Sequence, residues 1–368
     1  MGNVFEQPVR PESVRMDSER LAAAFRLLDD AIARGDTPGG VAVAGRNGRI
    51  AGIYAAGEAH PGEGIPAEPD TIYDCASLTK VTATLPLMLM LVDRGLVRLS
   101  DPVAYYLPEF AAEGKEAVTV KQLLTHTSGL ASYMNLHAHG WSPEEIKRIV
   151  LAQKLAHEPG SKMVYSDLGF IVLGELIAAV LGQPLDQAAR SLVFEPLGMR
   201  DTGYLPAEGL RPRIAATEFR QSLGTHKWGV VHDENADAMG GVSGHAGLFS
   251  TATDLAKYAC MWLAGGLYNG RSVLSRAAVE TAVQSHTPGL PANRGLGWAL
   301  KGDPWDSSGD WSSPASYGHT GFTGTSIWID PVRGCFAVLL TNRVYFGREK
   351  SVVRLRHLFH NAVAASCM

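Results

Sequence analysis

Ser77 and Lys80 stand three residues apart in "DCASLTK" (74–80), the one Ser-x-x-Lys spacing in the chain. Residues at i and i+3 share a helix face, so a hydroxyl and an amine can meet there. The chemistry such a pair serves is acyl transfer. It needs a nucleophilic oxygen, a base for its proton and donors for the oxyanion. Lysine works as that base only when burial or nearby cations lower its pKa from ~10.4. The apolar run "VTATLPLMLMLV" (81–92) directly behind Lys80 offers such burial. Taken alone, the spacing equally fits a polar residue opening a helix. A Gly-x-Ser-x-Gly elbow, the other common setting for a nucleophilic serine, does not occur.

Two further stretches carry reactive types. In "PGSKMVYSDLGF" a phenol, Tyr165, lies two residues before a carboxylate, Asp167, at a predicted helix start. In isolation Asp167 reads as a helix cap with Tyr165 packed beneath it. In "YGHTGFTGTSIWIDP" His319, Thr320, Gly321 and Phe322 form a Gly-rich approach to a strand, which alone reads as a turn. Weaker candidates are "DENADAMGG" (233–241), which imitates a calcium loop but has Ala238 where glycine is needed. His137 and His139 in "NLHAHG" read as solvent-exposed loop histidines. His126 and Ser128 in "THTSGL" form a tempting pair.

The elements that must position these residues can be read from pattern. Helical periodicity runs over 18–34 and ends at Gly35. The runs "GVAVAG" and "RIAGIYAAG", joined by Asn47-Gly48, predict a hairpin. A helix is expected over 78–94, then mostly helix to about 210. Strands return in "GLGWAL" (295–300), "GTSIWID" (324–330) and "CFAVLLTN" (335–342), before a last helix over 349–364. Strands at both ends and helices between predict an α/β unit from 1–82 and 240–368. A helical unit, 83–239, would be inserted in it, with the cleft between them. Five antiparallel strands, with the first and last helices on one face, are the expected sheet.

Bulk properties narrow the classes. The chain has 368 residues, 46% hydrophobic and 19% charged, which suits a soluble protein with a substantial core. A net charge of −4 leaves no electrostatic footprint for nucleic acid or an anionic membrane. Cys75, Cys260, Cys335 and Cys367 show no Cys-x-x-Cys pairing, so free thiols are expected, with no metal and no cofactor. "MGNVFEQPVRPESVR" lacks the apolar segment of a signal peptide, so a cytoplasmic location is expected. Oligomeric state is left open.

Taken together and in this order, the three stretches resemble the serine β-lactamase and penicillin-binding protein superfamily. The likeness is to its class C-like branch, with its esterases and peptidases. The segments "VTVKQLLTHTSGL" (118–130) and "GGVSGHAGLFSTATDLAKY" (240–258) share it. The resemblance implies an α+β, β-lactamase/transpeptidase-like fold. It implies Ser77 as nucleophile, with Lys80 and Tyr165 sharing the proton work. The oxyanion would lie between the N–H groups of Ser77 and Phe322, with Asp167, His319, Thr320 and Gly321 lining the site. His126 and Ser128 would be structural, and "HDENA" (232–236) would border the cleft.

This sequence departs from the family pattern twice. Asp167 replaces the usual Asn and can only accept while ionised; it would also hold Lys80 charged, moving the base role toward Tyr165. His319 stands where β-lactamases keep a lysine. The expectation is a serine hydrolase for small esters or D-amino-acid and cell-wall-type peptides, poor on penicillins and cephalosporins, with a pH limb set by His319. The alternatives are a penicillin-binding sensor that deacylates slowly and a true class C-like β-lactamase.

Overall fold

The structure, a computed structural model, describes residues 7–222 and 224–368; the first six residues of the N-terminal segment lie outside it. Asp17 caps α1 (Ser18–Ala33) by accepting from the Arg20 N–H, and Gly35 ends it in the left-handed region at φ 73°. The predicted hairpin is β1 (Gly39–Arg46) and β2 (Arg49–His60). Its turn residues Asn47 and Gly48 have φ 53° and 72°, the positive pair a two-residue type I′ turn requires.

The main sheet has seven strands rather than the expected five. It adds β3 (Ile65–Pro66) and β4 (Ala299–Leu300), then β5 (Tyr317–Thr320), β6 (Ser326–Asp330) and β7 (Cys335–Thr341). The order is β4-β5-β6-β7-β1-β2-β3, with every neighbouring pair antiparallel. The two additions are β3, a two-residue edge too short to show alternation, and β5, whose residues lie in the Gly-rich run that alone reads as a turn. Most of "GLGWAL" is not strand at all. Gly297 at φ 74° and the Gly295 N–H to Trp298 C=O bond fold it into a turn, leaving only Ala299–Leu300 to pair.

Period-2 alternation sorts the central strands onto two cores. Val41, Val43, Val338 and Leu340 face one side, against α4 (Ala252–Leu263) and the helical region. Ala42, Ala44, Ala337 and Leu339 face the other, against α1 and α5 (Val353–Ser366). The first and last helices therefore share one face.

The helix expected over 78–94 is interrupted. Residues Lys80–Thr84 form a wide π-type turn before α2 (Leu85–Asp93). Pro86 lacks an N–H for the Thr82 carbonyl four residues back and its ring crowds that carbonyl, so the backbone widens there. Lys80 opens this turn. α3 (Asp167–Leu181), buried along most of its length, crosses the 240–250 loop at Gly174 and Gly244. A side chain on Gly244 would meet the Phe170 carbonyl oxygen at 2.1 Å. All four cysteines are free thiols.

Candidate active site

Ser77 sits at the tip of a sharp turn. Ala76 before it is held at φ 46°, uncommon for a residue with a side chain. The turn is pinned from below. Asp74 is buried and accepts from the Ala76 N–H at 2.8 Å and the His232 N–H at 2.6 Å, while burial raises its pKa. The Leu78 and Lys80 N–H groups bond back to the Cys75 and Ser77 carbonyls, which brings the Lys80 side chain up beside the Ser77 hydroxyl.

Lys80 is fully buried, and its ammonium protons are all engaged. Nζ donates to Ser77 Oγ at 3.1 Å, to Asp167 Oδ1 at 2.7 Å and to the His245 carbonyl at 3.0 Å. Three donors is the whole capacity of an ammonium group. Burial pushes the Lys80 pKa down, but the Asp167 carboxylate, followed by Tyr165, more than offsets this and the lysine is held above its ordinary value. Lys80 therefore approaches Ser77 as a donor. The lowered lysine that burial alone implied is not what forms.

Asp167 is free for this contact because Ser166, not Asp167, caps α3; its hydroxyl accepts from the Gly169 N–H at 3.2 Å. The third partner is itself secured. His245 Nδ1 meets Ser243 Oγ at 2.8 Å, and Nε2 meets Asp233 Oδ1 at 3.0 Å. Burial pushes the Asp233 carboxyl up, yet His245 and the helix-start N–H of Ala236 hold it well below the usual carboxylate range.

Tyr165 is set differently. Its ring lies 4.5 Å from that of His126, stacks at 5.4 Å on Trp305 and is 5.8 Å from His319. Lys80 Nζ lies 5.0 Å from the ring centre. Its buried hydroxyl makes no hydrogen bond at ordinary geometry among the described residues. His126 holds the segment: its Nδ1 accepts from the Ser166 N–H at 3.0 Å, the structural role expected of it.

β5 delivers the opposite wall. A Cβ on Gly321 would meet Thr325 Oγ1 at 2.1 Å and the Cys75 carbonyl at 2.5 Å, so only glycine lets this strand end approach the Ser77 turn. The Ser77 and Phe322 amides donate to no other group among the described residues, as an oxyanion site requires. Thr320 and Phe322 line the cleft.

His319 Nδ1 bonds the Thr320 carbonyl at 2.8 Å, which makes it the protonated nitrogen, and buried Nε2 has no partner among the described residues. Burial, then the Arg294 and Lys80 charges, drives the His319 pKa well below its ordinary 6.5. The ring is neutral at physiological pH, and the limb expected of it moves far into acid.

The cleft encloses about 560 Å³. His232, Asp233 and Glu234 of the "HDENA" stretch border it. Asp233 caps a short helix, Glu234–Ala238, in place of the calcium-loop geometry that stretch imitates. Asn235 Oδ1 meets His137 Nδ1 at 3.3 Å, and His139 stacks on Trp141 at 4.1 Å. Arg294, His245, Trp305 and Arg356 were not among the residues singled out by motif. Arg356 on α5 is buried and donates to the Gly321 and Thr325 carbonyls at 2.7 and 2.9 Å. Burial, and then Arg343, pushes its pKa down to about 9.

The Beta-lactamase family profile matches residues 24–361. The chain belongs to the β-lactamase family. Over 308 residues it is 35% identical to a protein of Escherichia coli strain K12 named provisionally as a D-alanyl-D-alanine carboxypeptidase, covering 76% of this chain and 70% of that one. A penicillin-binding protein homologue from Caulobacter crescentus superposes with a TM-score of 0.77 at 25% identity, over 95% and 98% of the two chains. A class C β-lactamase from Rhodobacter sphaeroides gives 0.73 at 23%, over 95% and 99%. The expected superfamily and its mixed, antiparallel fold are thus shown, and this family member is a serine hydrolase.

Proposed function

We propose that Ser77 forms an acyl-enzyme with small esters or with D-amino-acid peptides of the cell-wall type, and that Tyr165 moves the proton. The observation that carries this reading is the saturation of Lys80. An ammonium with three acceptors already engaged has no lone pair to take a proton from Ser77. Tyr165, with its hydroxyl unpartnered in the same cleft, is the remaining acceptor.

In the first half-reaction the Ser77 Oγ proton passes to the Tyr165 phenolate as Oγ bonds the substrate carbonyl. The carbonyl oxygen takes up the charge between the Ser77 and Phe322 amides. Tyr165 returns the proton to the leaving alcohol or amine. Water then repeats the sequence against the acyl-enzyme. Lys80 stays an ammonium and stabilises the developing Ser77 alkoxide. The similarity to the carboxypeptidase-named relative supports the peptide side of this reading. Penicillins and cephalosporins are poor substrates, because neutral His319 gives their carboxylate no charge to meet.

The test compares wild type with Ser77→Ala on p-nitrophenyl esters, a D-alanyl-D-alanine peptide and benzylpenicillin, following turnover and intact mass. Ester or peptide turnover lost in Ser77→Ala, with slow penicillin consumption, is the expected result. A stable penicilloyl adduct on wild type without ester or peptide turnover would replace this reading with a slow-deacylating penicillin binder.

A further inference from the structure

His319 stands neutral where a cation would assist Tyr165, yet a buried cation reaches that ring from another element. Arg294 and Asp303 are 1% and 0% exposed at their side chains and face each other at 2.9 Å. The guanidinium carbon lies 5.7 Å from the centre of the Tyr165 ring. Nε and Nη1 of Arg294 have no hydrogen-bond partner among the described residues, nor does the Tyr165 hydroxyl. The backbone at Arg294 is fixed: its N–H donates to Thr287 Oγ1 at 3.0 Å and its carbonyl accepts from the His286 N–H at 2.7 Å. Asp303 also accepts from the Trp305 N–H at 2.8 Å, and Trp305 is the ring stacked on Tyr165. The stretch 294–305, which folds through β4, thus presents to the same phenol a cation, its counter-ion and a flat aromatic cover.

We propose that Arg294 is a positioning residue that holds Tyr165 in its proton-accepting form, doing from position 294 what a lysine at position 319 would do. The proposal rests on the serine-hydrolase reading. Among the other groups facing Tyr165, Lys80 is a cation as well, 5.0 Å from the ring centre and attracted to the phenol oxygen, but its charge is shared with Asp167, and Asp167 itself carries the wrong sign. His126 and His319 are both driven well below their ordinary pKa, by burial first and then by Arg294 itself, so each faces the phenol uncharged. An arginine suits the place because it stays protonated even where burial lowers its pKa, as it does here.

The test reads Ser77 reactivity directly, without a chosen substrate. A fluorophosphonate phosphonylates the serine: the Oγ–P bond forms, fluoride leaves and the Oγ proton goes to Tyr165. The rate of mass gain is followed across pH. A nearby cation stabilises an anion and moves its titration by about one unit or more, which is about tenfold in rate on the rising limb.

Arg294→Gln is therefore expected to move that limb to higher pH and to slow modification about tenfold at neutral pH, with an unchanged alkaline plateau. Arg294→Lys restores the limb, and adding His319→Lys to Arg294→Gln restores it in part. Asp303→Asn, which removes the counter-ion, moves it the opposite way. Arg294→Gln with Asp303→Asn leaves no buried unpaired charge and guards against misfolding; it shifts in the direction of Arg294→Gln. A wild-type limb in that double variant would overturn the proposal. So would a change confined to KM for carboxylate-bearing substrates, which makes Arg294 a substrate-binding group. Wild type that is never modified at Ser77 would instead remove the serine-hydrolase reading, and this inference with it.

Discussion

The two sides of the cleft differ in how fully their polar atoms are bonded. Around Lys80 each ammonium proton has an acceptor, and one acceptor, the His245 carbonyl, belongs to a residue itself fixed by Ser243 and Asp233. Around Tyr165 the phenol oxygen, His126 Nε2, His319 Nε2 and two Arg294 nitrogens are buried without hydrogen-bond partners among the described residues. Unsatisfied buried polar atoms are costly and are normally few. One side is complete in the resting protein; the other awaits what substrate and reaction bring. The side with open valences is the one to which the proposed proton transfer is assigned.

That contrast can be broken most sharply at Tyr165. Tyr165→Phe removes the acceptor and leaves the packing, so kcat for an ester is expected to fall by about 10²–10⁴. A fall smaller than about tenfold would put the proton on Lys80 instead.

Asp167→Asn tests the complete side. It takes away the charge that holds Lys80 protonated and supplies an amide donor, so penicillin acylation is expected to rise about tenfold, the worth of one good hydrogen bond. Intact-mass kinetics would show it, and an unchanged acylation rate would mean that His319 alone excludes these substrates.

Stability should show the same division more weakly. His126, His319 and His360 are buried with lowered pKa values, His360 down to about 3. The unfolded chain binds their protons below about pH 6.5 and the folded chain does not, so stability falls as pH drops through that range, by up to about 1.4 kcal/mol per unit per histidine. Lys80 runs the other way. Its raised pKa stabilises the fold in full below 10.5, a contribution lost only as pH rises through the folded value. Urea unfolding near pH 7 and near pH 5 measures the slope, and His360→Gln, away from the cleft, should reduce it by one histidine's share.

Ser77, Lys80, Tyr165, Asp167 and the 319–322 run were legible because each sits in a short stretch whose spacing already implies the geometry. Arg294, Asp303 and His245 were not, because nothing local marks them. They reach the site through the fold of a turn read as a strand and through a loop crossing α3 at paired glycines. The sign of the Lys80 shift was legible through the resemblance rather than the local pattern. Burial was visible in the apolar run behind Lys80 and points downward, whereas the offset by Asp167 acts between residues 87 positions apart and was expected only once the resemblance had set Asp167 in the same site. β3 has two residues and carries too little alternation to be seen, and β5 lies in the Gly-rich run read as a turn, which is why five strands became seven.

The pairing of β1 with β7 sets an order of events during synthesis. Gly40 to Arg46 lie against Thr341 to Cys335, nearly the full chain later, and Arg356 beyond them ties down the Gly321 and Thr325 carbonyls. Ser77 and Lys80 emerge from the ribosome early, yet the strand wall that faces them cannot close until residues 335–356 have followed. Contacts this distant form slowly, and β1 meanwhile exposes an unpaired edge. A nascent chain therefore carries Ser77 and Lys80 for most of translation without the cleft that the finished fold builds around them. A chain halted before Arg356 would be both inert and prone to pair its open strand with a neighbour's.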